Sequence, residues 1–294
     1  MIITHRAAAH RDEFMAICFW MAVYGLQSIS RRDPTPEELD DPSITVIDVG
    51  GQHIPANRNF DHHQYRGGDS ALVLVLKHLE LYYAAQVVFP WIQFSSDLDT
   101  LGPFAVAKGL GLTPDQLFST LSPIEEQILF LFQQEDEVSI KTRILMKAIG
   151  DGLLEKIIFY QERMADLAIN ARIINVGELV GIYSTITDRP SAFLEEFRQQ
   201  HCPDAAFSIC PDDRGDGHTL YRFAEHPALN FSLIEEYDEV IFAHKGGFIA
   251  KTHRILDIEG LQVLVALATI RKEVPKKRNL FAEAFAADLA EAME

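Results

Sequence analysis

Residues 44–51 read Ile-Thr-Val-Ile-Asp-Val-Gly-Gly, a β-branched run that carries one acid, Asp48, directly before a glycine pair. An apolar run of this length is typical of a strand that is buried on both faces, as in a parallel sheet. A shorter apolar run, Met1–His5, precedes it, and apolar residues at helical spacing begin at Phe14. The strand–helix alternation predicts a parallel α/β sheet at the start of the chain.

The rest of the chain divides by composition. A further helix is predicted from about Ser70 to Tyr83, and residues from about 112 to 170, rich in Leu, Ile, Glu and Gln, predict helices in series. Four later stretches predict strands: Leu179–Ser184, Ala205–Cys210, His218–Phe223 and Glu239–His244. We therefore expect an α/β protein of two domains. Residues 1–170 would form a doubly wound, mostly parallel sheet with a helical connector from about residue 112, and residues 171–294 a smaller mixed α/β domain.

Composition limits the function. The 294 residues include 26 Lys and Arg against 43 Asp and Glu, a net charge of −17, and 48% are hydrophobic, as in globular proteins. So acidic a chain repels phosphate backbones on average, and an anionic substrate would need a local reversal of sign, which bound divalent metal supplies. The dense basic stretch Arg271–Arg278 is interpreted as a solvated helix end or loop. Three cysteines without a CxxC pair, no long apolar run and no secretory pattern predict a cytoplasmic protein.

Three stretches gather residue types that bind metals. They are His5-x4-His10-x-Asp12, the strand-terminal Asp48, and Asp61-His62-His63. The carboxyl ends of parallel strands meet at one rim of a sheet, so these stretches have a reason to meet in space. A carboxylate at the end of a buried strand is costly unless it is paired or binds a metal. Imidazole mixed with carboxylate suits manganese, iron or zinc better than calcium.

These stretches resemble the DHH phosphoesterase superfamily, and within it the melanocyte-proliferating-gene family of metal-dependent hydrolases. That family typically reads T-H-N-G-x-F-H-x-D-E, then V-x-D-V-G-G, then Y-D-H-H-Q. Here Thr4–Glu13 reads THRAAAHRDE, Ile47–Gly51 reads IDVGG and Phe60–Gln64 reads FDHHQ. Near the C-terminus an H-x-x-G-F-I stretch of the family is matched by His244–Ile249. The resemblance therefore touches both halves of the chain.

The resemblance implies a site for two divalent ions, expected to be Mn²⁺, with Mg²⁺, Zn²⁺ or Fe²⁺ as alternatives. One ion would be held by His5, His10 and Asp48, and the other by Asp12, Asp48, His62 and Asp99, so that Asp48 bridges them. The fourth motif lies in residues 95–100, Ser-Ser-Asp-Leu-Asp-Thr, where Asp99 matches best and Asp97 is the alternative. His63 would then be free to act as an acid or as a donor to phosphate, with Asp61 orienting an imidazole.

The chain departs from the family at its first motif. Arg6 and Ala7 replace Asn-Gly, and Ala9 replaces phenylalanine. These changes predict a loop of another shape, and Arg6 becomes a candidate contact for an anionic substrate. A second candidate contact, in the second domain, consists of His244, Gly246, Gly247 and Lys251, whose alternative reading is a structural turn.

The resemblance implies phosphodiester hydrolysis in the cleft between the domains, with a nucleic-acid end or a short oligonucleotide as substrate; the eukaryotic branch implies 3′–5′ exonucleolytic cleavage of RNA. Three alternatives stay open. The protein could be a phosphatase acting on a nucleotide or polyphosphate, a metal- or nucleotide-binding module without activity, or an amide hydrolase using the same metal pair. No GxSxG, HExxH, Walker A or strand-following GxGxxG motif is present in the sequence.

Overall fold

The computed structural model describes residues 1–6, 8–64, 67–119 and 122–270, and the basic stretch Arg271–Arg278 lies outside them. The chain divides into two compact units, Met1–Glu162 and Arg163–Glu294. The predicted α/β class is confirmed, since each unit is built on its own sheet. The domain boundary predicted at residues 170 and 171 stays a prediction.

The first unit is built on a five-stranded sheet in the order β2-β1-β3-β5-β4. The four strands β2, β1, β3 and β5 are parallel, and only β4 runs antiparallel to its neighbour β5. The central side chains Ile2, Ile3, Val46, Ile47 and Phe60 are fully buried, as the apolar runs predicted. The strand bounds are β1 Ile2–Thr4, β2 Ile29–Arg31, β3 Thr45–Ile47, β4 His53–Ile54 and β5 Asn59–Phe60.

Helices make up most of the remainder of this unit. In chain order they are α1 Arg11–Tyr24, α2 Pro36–Asp40, α3 Ala71–His78, α4 Tyr82–Val88, α5 Trp91–Leu101, α6 Pro103–Gly109, α7 Pro114–Phe118, α8 Pro123–Gln133 and α9 Ile140–Asn170. The predicted helical series from about 112 corresponds to α7–α9, whereas α4–α6 were not predicted. Helix α9, the last of this series, extends beyond Glu162, the last residue of the first unit.

The helix predicted from Ser70 to Tyr83 is wrong in its length. It ends at His78 because Glu80 adopts a left-handed backbone conformation with φ of 58°, which a continuing helix excludes. The chain resumes as α4, bent by 120° from α3. Among the described residues no single helix is long and apolar enough to cross a membrane; α3 and α4 reach that length and composition only when taken together.

The second unit contains a six-stranded mixed sheet in the order β10-β11-β9-β8-β7-β6. Only β7 and β8 pair in parallel, and the other neighbours are antiparallel. All four predicted strands are present: Leu179–Ser184 has the predicted bounds, and the other three have slightly different ends. Strands β6 and β11 were not predicted. The bounds are β6 Ala171–Val176, β7 Leu179–Ser184, β8 Phe207–Pro211, β9 His218–Arg222, β10 Val240–Ala243 and β11 Ile249–Thr252, with helices α10 Leu194–His201 and α11 Ile258–Leu267.

Candidate metal centre

Three adjacent parallel strands deliver the candidate ligands to one edge of the first sheet. His5 follows β1, Asp48 follows β3, and Asp61 follows β5. Because these strands pair in parallel in the order β1-β3-β5, their carboxyl ends lie side by side. Asp48 has a φ of 61°, a conformation that is unusual for a residue with a side chain. Such strained positions occur preferentially at functional sites.

Two helices complete the cluster. Asp12 lies in the first turn of α1 and Asp99 in the last turns of α5. One carboxylate oxygen of Asp12, Oδ2, accepts a hydrogen bond from the backbone N–H of Leu72 at 3.1 Å, in the first turn of α3. Asp12 therefore caps α3, whereas the side chain of Ser70, at the N-cap position, makes no capping bond among the described residues.

Asp48 lies at the middle of the cluster. Its Oδ2 atom is 3.4 Å from Nε2 of His5 and 3.2 Å from Nε2 of His10, and its Oδ1 atom is 3.2 Å from Nε2 of His62. Asp48 also belongs to each of three groups whose donor atoms lie within 4.8 Å of one another, namely His5–His10–Asp48, Asp48–His62–His63 and Asp12–Asp48–Asp99. Asp48 is therefore the residue that all three groups share.

Several donor atoms of this cluster lack hydrogen bonds despite their short distances, although Nε2 of His5 and Nε2 of His10 are hydrogen-bonded to each other at 3.1 Å. Among the described residues no hydrogen-bond partner is present for Oδ1 of Asp12, for either carboxylate oxygen of Asp48, for Nε2 of His62 or for Oδ2 of Asp99, and all are buried. Buried polar and charged atoms are costly when left unpaired. Imidazole and carboxylate atoms that converge in this way fit a divalent metal, so the residues present suit the ions that the sequence analysis expects.

The electrostatics of the cluster show the same demand for a cation. Burial lowers the pKa of both His5 and His62. At His5 the carboxylates of Asp48 and Glu13 outweigh this effect and raise the pKa to about 9. At His62 the carboxylates of Asp48 and Asp99 do the same and raise the pKa to about 10. Burial alone would raise the pKa of Asp48, yet the neighbouring imidazoles hold it well below its usual value. Without a metal the imidazoles therefore carry the positive charge, and cation binding must displace their protons.

The pKa of Asp12 shifts in the direction opposite to that of Asp48. Burial, together with the nearby carboxylates of Asp48 and Asp99, raises the pKa of Asp12 to about 7. Like charges in one buried site disfavour the ionised form, and a divalent cation among the three carboxylates would remove that repulsion.

Glu13 is a residue that the sequence analysis missed. It is fully buried, and its Oε2 atom lies 2.7 Å from Nε2 of His5 and accepts a hydrogen bond from Oγ1 of Thr4 at 2.9 Å. The guanidinium of Arg31, also buried, donates to its other oxygen at 3.2 Å. Glu13 thus fixes His5. The signal was available in the first motif, but an acid in the first turn of a helix is usually explained by the helix dipole.

Asp61 holds His63. The Oδ1 atom of Asp61 accepts hydrogen bonds from Nδ1 of His63 at 2.7 Å and from the backbone N–H of the same residue at 3.0 Å. Its Oδ2 atom accepts from the backbone N–H of Gly51 at 2.6 Å. A carboxylate can only accept a hydrogen bond, so Nδ1 of His63 carries the proton. Nε2 is then the ring nitrogen that could take up or release a proton. The His63 side chain is 59% exposed, whereas that of His62 is 13% exposed.

The structure separates the two candidates for the fourth motif. Asp99 joins the cluster, with Oδ2 at 2.7 Å from Nε2 of His62 and Oδ1 at 3.6 Å from Nδ1 of His10. Asp97 instead accepts a hydrogen bond from the amide of Gln93 at 2.8 Å on the exposed side of α5.

Arg6, the candidate substrate contact of the first motif, pairs with Asp136. Two of its nitrogens donate to that carboxylate at 2.9 and 2.5 Å, and both side chains are about two-thirds exposed. Its charge is therefore compensated within the unit. Ala7, the second departure in this motif, lies outside the described residues.

The candidate contacts in the second unit have local partners of their own. Lys251 forms an ion pair with Asp212, and Nδ1 of His244 accepts from the backbone N–H of Gly246 at 2.9 Å. Gly247 has a φ of 69°, and a Cβ there would lie 1.8 Å from Oδ1 of Asn230, so only glycine fits. The close approach of Asn230 explains why residue 247 is glycine. A role of the four residues in substrate binding stays a prediction.

An open cavity of about 460 Å³ lies over the cluster, and its wall includes His5, His10, Asp48 and His63. The backbone of Gly50 and Gly51 forms another part of the wall. This is where a ligand would meet both the donor cluster and the exposed imidazole of His63.

Residues 1–70, which contain most of this cluster, match the model of the MYG1_exonuc family, described as uncharacterised protein family UPF0160. The resemblance drawn from the motifs is confirmed over this part of the chain. No curated protein gives a significant match.

Three solved structures align with the chain at low similarity. A pGpG-specific phosphodiesterase from Vibrio cholerae, PggH, is 13% identical, with a TM-score of 0.28 over 91% of this chain and 98% of the other. A DHH domain of a member of the s1p family of ribosomal proteins is 12% identical, with a TM-score of 0.29 over 98% and 86%. An uncharacterised protein from Helicobacter pylori G27 is 9% identical, with a TM-score of 0.25 over 90% and 98%.

Proposed function

We propose that this protein is a divalent-metal-dependent phosphoesterase that hydrolyses phosphodiester bonds in short oligonucleotides or at nucleic-acid ends. The observation that carries the proposal is the position of Asp48, which is shared by three groups of donor atoms and has no hydrogen bond to either of its oxygens among the described residues. The match of residues 1–70 to a family named as exonucleases supports the same reaction class.

The residues divide into two ligand sets. His5, His10 and Asp48 would hold one ion, while Asp12, Asp48, His62 and Asp99 would hold the other, with manganese as the proposed metal and Mg²⁺, Zn²⁺ or Fe²⁺ as alternatives. When bound, a pair of such ions neutralises charge on the phosphate and lowers the pKa of a bound water. Glu13 contacts the same Nε2 atom of His5 that lies near Asp48, and Thr4 in turn donates a hydrogen bond to Glu13, so both residues help to position this imidazole at the cluster.

His63 is the residue proposed to touch the substrate. With Nδ1–H held by Asp61, Nε2 carries a proton only when the ring is doubly protonated; in that form it can give this proton to the leaving oxygen or donate a hydrogen bond to the phosphate. Its exposure suits contact with a ligand, whereas the burial of His62 suits metal ligation.

The charges around the cluster favour a short substrate or an end over a long strand. Proteins that hold strands of nucleic acid use rows of free Lys and Arg on the phosphates. Here Arg6 is paired with Asp136, and Arg11 forms a bidentate pair with Glu125 at 2.5 and 2.6 Å. Affinity near the cluster would therefore come from the metals and from the atoms around one phosphate.

A comparison of three substrates tests the proposal. With Mn²⁺ the protein should cleave a dinucleotide faster than it dephosphorylates a nucleoside monophosphate, and EDTA should abolish both reactions. Faster turnover of the monophosphate would contradict the proposal and identify the protein as a phosphatase. If neither compound is turned over, and a chromogenic phosphodiester is not cleaved either, the result would contradict the proposal and favour a binding module without activity.

The proposed location is the cytoplasm. Cys18, Cys202 and Cys210, all within the described residues, are free and buried, which suits a reducing compartment.

A further inference from the structure

A second cavity, of about 490 Å³, opens on the donor cluster from the helical side of the first unit. It reaches the cluster at His10, Asp12 and Asp99. Away from the cluster its wall is largely apolar, with Leu98 from α5, Phe118 from α7 and Leu129 from α8. The volume lies within the range of about 300–1,000 Å³ that is usual for small-molecule sites.

Ala9 forms part of this wall, directly before His10. In the motif that this stretch resembles, the same position carries phenylalanine, and the methyl group of Ala9 leaves that space open. A ring at residue 9 would enter the cavity beside the candidate metal ligand. The space beside the cluster is therefore open at a position where this chain departs from the family motif.

We propose that this cavity binds the base of the nucleoside that is esterified to the scissile phosphate, and that Ala9 admits that base. The inference rests on the proposed phosphodiesterase function and names the part of the substrate that gives it specificity. Because the candidate metal ligands His10, Asp12 and Asp99 form part of the wall, a base in the cavity would lie beside a phosphate held at the cluster, with the sugar between them.

The charges of the cavity exclude a second phosphate as its occupant. Its one arginine among the described residues, Arg11, is held by both oxygens of Glu125. The other ionisable groups in the wall are the candidate ligands His10, Asp12 and Asp99. An anion would thus find no uncompensated cation apart from the metals, so an uncharged group fits better.

The chemistry of the wall favours a base over an alkyl chain. The aromatic ring of Phe118 and the aliphatic side chain of Leu98 can both pack against a ring. The guanidinium of Arg11 offers a planar face for stacking, and the carboxylate of Glu125 accepts hydrogen bonds from ring or amino N–H groups. A nucleobase uses both kinds of contact, and an alkyl chain uses neither.

The test fills the cavity. Ala9→Phe places a ring in it, and Leu129→Trp fills it from the opposite wall, which keeps the test decisive if one variant fails to fold. Ala105→Phe, on the exposed face of α6 and outside the cavity wall, adds the same bulk as a matched control. Titration of adenosine, followed by NMR, measures occupancy without any turnover. We expect both filled variants to bind adenosine about tenfold more weakly or worse, in line with the loss of one stacked base, and Ala105→Phe to bind as the unaltered protein does.

A second readout uses turnover. The kcat/KM for a dinucleotide is compared with that for its analogue without bases, which has the same charge and the same phosphodiester. The unaltered protein and Ala105→Phe should prefer the dinucleotide, and this preference should disappear in Ala9→Phe and Leu129→Trp. No binding of adenosine to the unaltered protein, or equal binding to the filled variants, would overturn the proposal. If no phosphodiester is cleaved with any divalent metal, the proposed function fails, and the adenosine titration still decides whether the cavity binds a base.

Discussion

The Nε2 atom of His62 lies 2.7 Å from Oδ2 of Asp99, yet neither atom has a hydrogen-bond partner among the described residues. One residue follows a strand of the sheet and the other lies on α5, so the fold brings together two elements that are distant in sequence. The two groups form an ion pair instead, and Asp99 helps to raise the pKa of His62. A cation shared by the two residues would replace the proton of this pair, and the predictions below depend on that interpretation.

The two adjacent histidines should separate by role. His62→Ala removes a buried donor of the cluster and should reduce metal occupancy. His63→Ala removes an exposed imidazole held by Asp61 and should keep the metals while lowering kcat by about 10²–10⁴-fold, the usual contribution of a general acid. Metal analysis and steady-state kinetics on both variants check this. Loss of metal in His63→Ala with retention in His62→Ala would reverse the assignment.

The two acids of α5 should separate in the same way. Asp99→Asn removes a donor beside His62 and should weaken metal binding about 10- to 100-fold, as loss of a group that supports a metal site usually does. Asp97→Asn is the matched control, because Asp97 bonds Gln93 outside the cluster and should bind metal normally. Equal effects of the two substitutions in a metal titration would contradict the position assigned to Asp99.

Glu13 should contribute to the stability of the first unit. It is buried between His5 and Arg31, so Glu13→Ala leaves a buried guanidinium without this partner and should destabilise the first unit by about 3–5 kcal/mol. Glu126, exposed on α8, is the control, and Glu126→Ala should stay within about 0.5 kcal/mol. Denaturant unfolding measures both. A small effect of Glu13→Ala would show that His5 and Arg31 do not depend on it.

The pH dependence of the metal-free protein follows from the imidazoles. The pKa values of His5 and His62 rise from the ordinary 6.5 to about 9 and about 10 on folding, because Asp48 with Glu13 at His5, and with Asp99 at His62, outweighs the opposing effect of burial. Their contribution to stability is therefore complete below pH 6.5 and is lost as pH rises through 9–10.

Thermal unfolding in EDTA between pH 8 and 10 tests this dependence. The Tm should fall with rising pH, and the fall should be smaller in His62→Gln. It should also be smaller with bound divalent metal, which replaces the protons. A fall of the same size in the unaltered protein and in His62→Gln would remove His62 as the source.

The sequence predicted the part of the site that depends on strand ends. His5 and Asp48 follow strands that the apolar runs predicted, and parallel pairing brings these strand ends to one rim. Asp61 follows β5, a two-residue strand that was not predicted. Asp99 could not be placed in this way. It lies inside a helix, and which face of α5 meets the cluster depends on packing against α1 and α3, which no local pattern encodes.

The same limit explains the helix ends. The stop of α3 depends on Glu80 in a left-handed conformation, and its start is capped by Asp12 from another helix. Neither residue belongs to the usual signals for a helix end, where glycine closes a helix and a neighbouring polar side chain opens it. Glu13 was missed for a related reason, because its partners Thr4 and Arg31 come from two strands.

The measurement that tests the account most directly is the metal content of Asp48→Asn. Asp48 lies within reach of His5, His10 and His62, and it takes part in every group of donor atoms in the cluster. The unaltered protein should bind about two divalent ions per chain, as a two-metal site requires, and the isosteric Asp48→Asn should lose most of the affinity for both. Asp97→Asn, measured beside it, should retain them. An unchanged metal content in Asp48→Asn would contradict the central claim that this carboxylate bridges two metal ions.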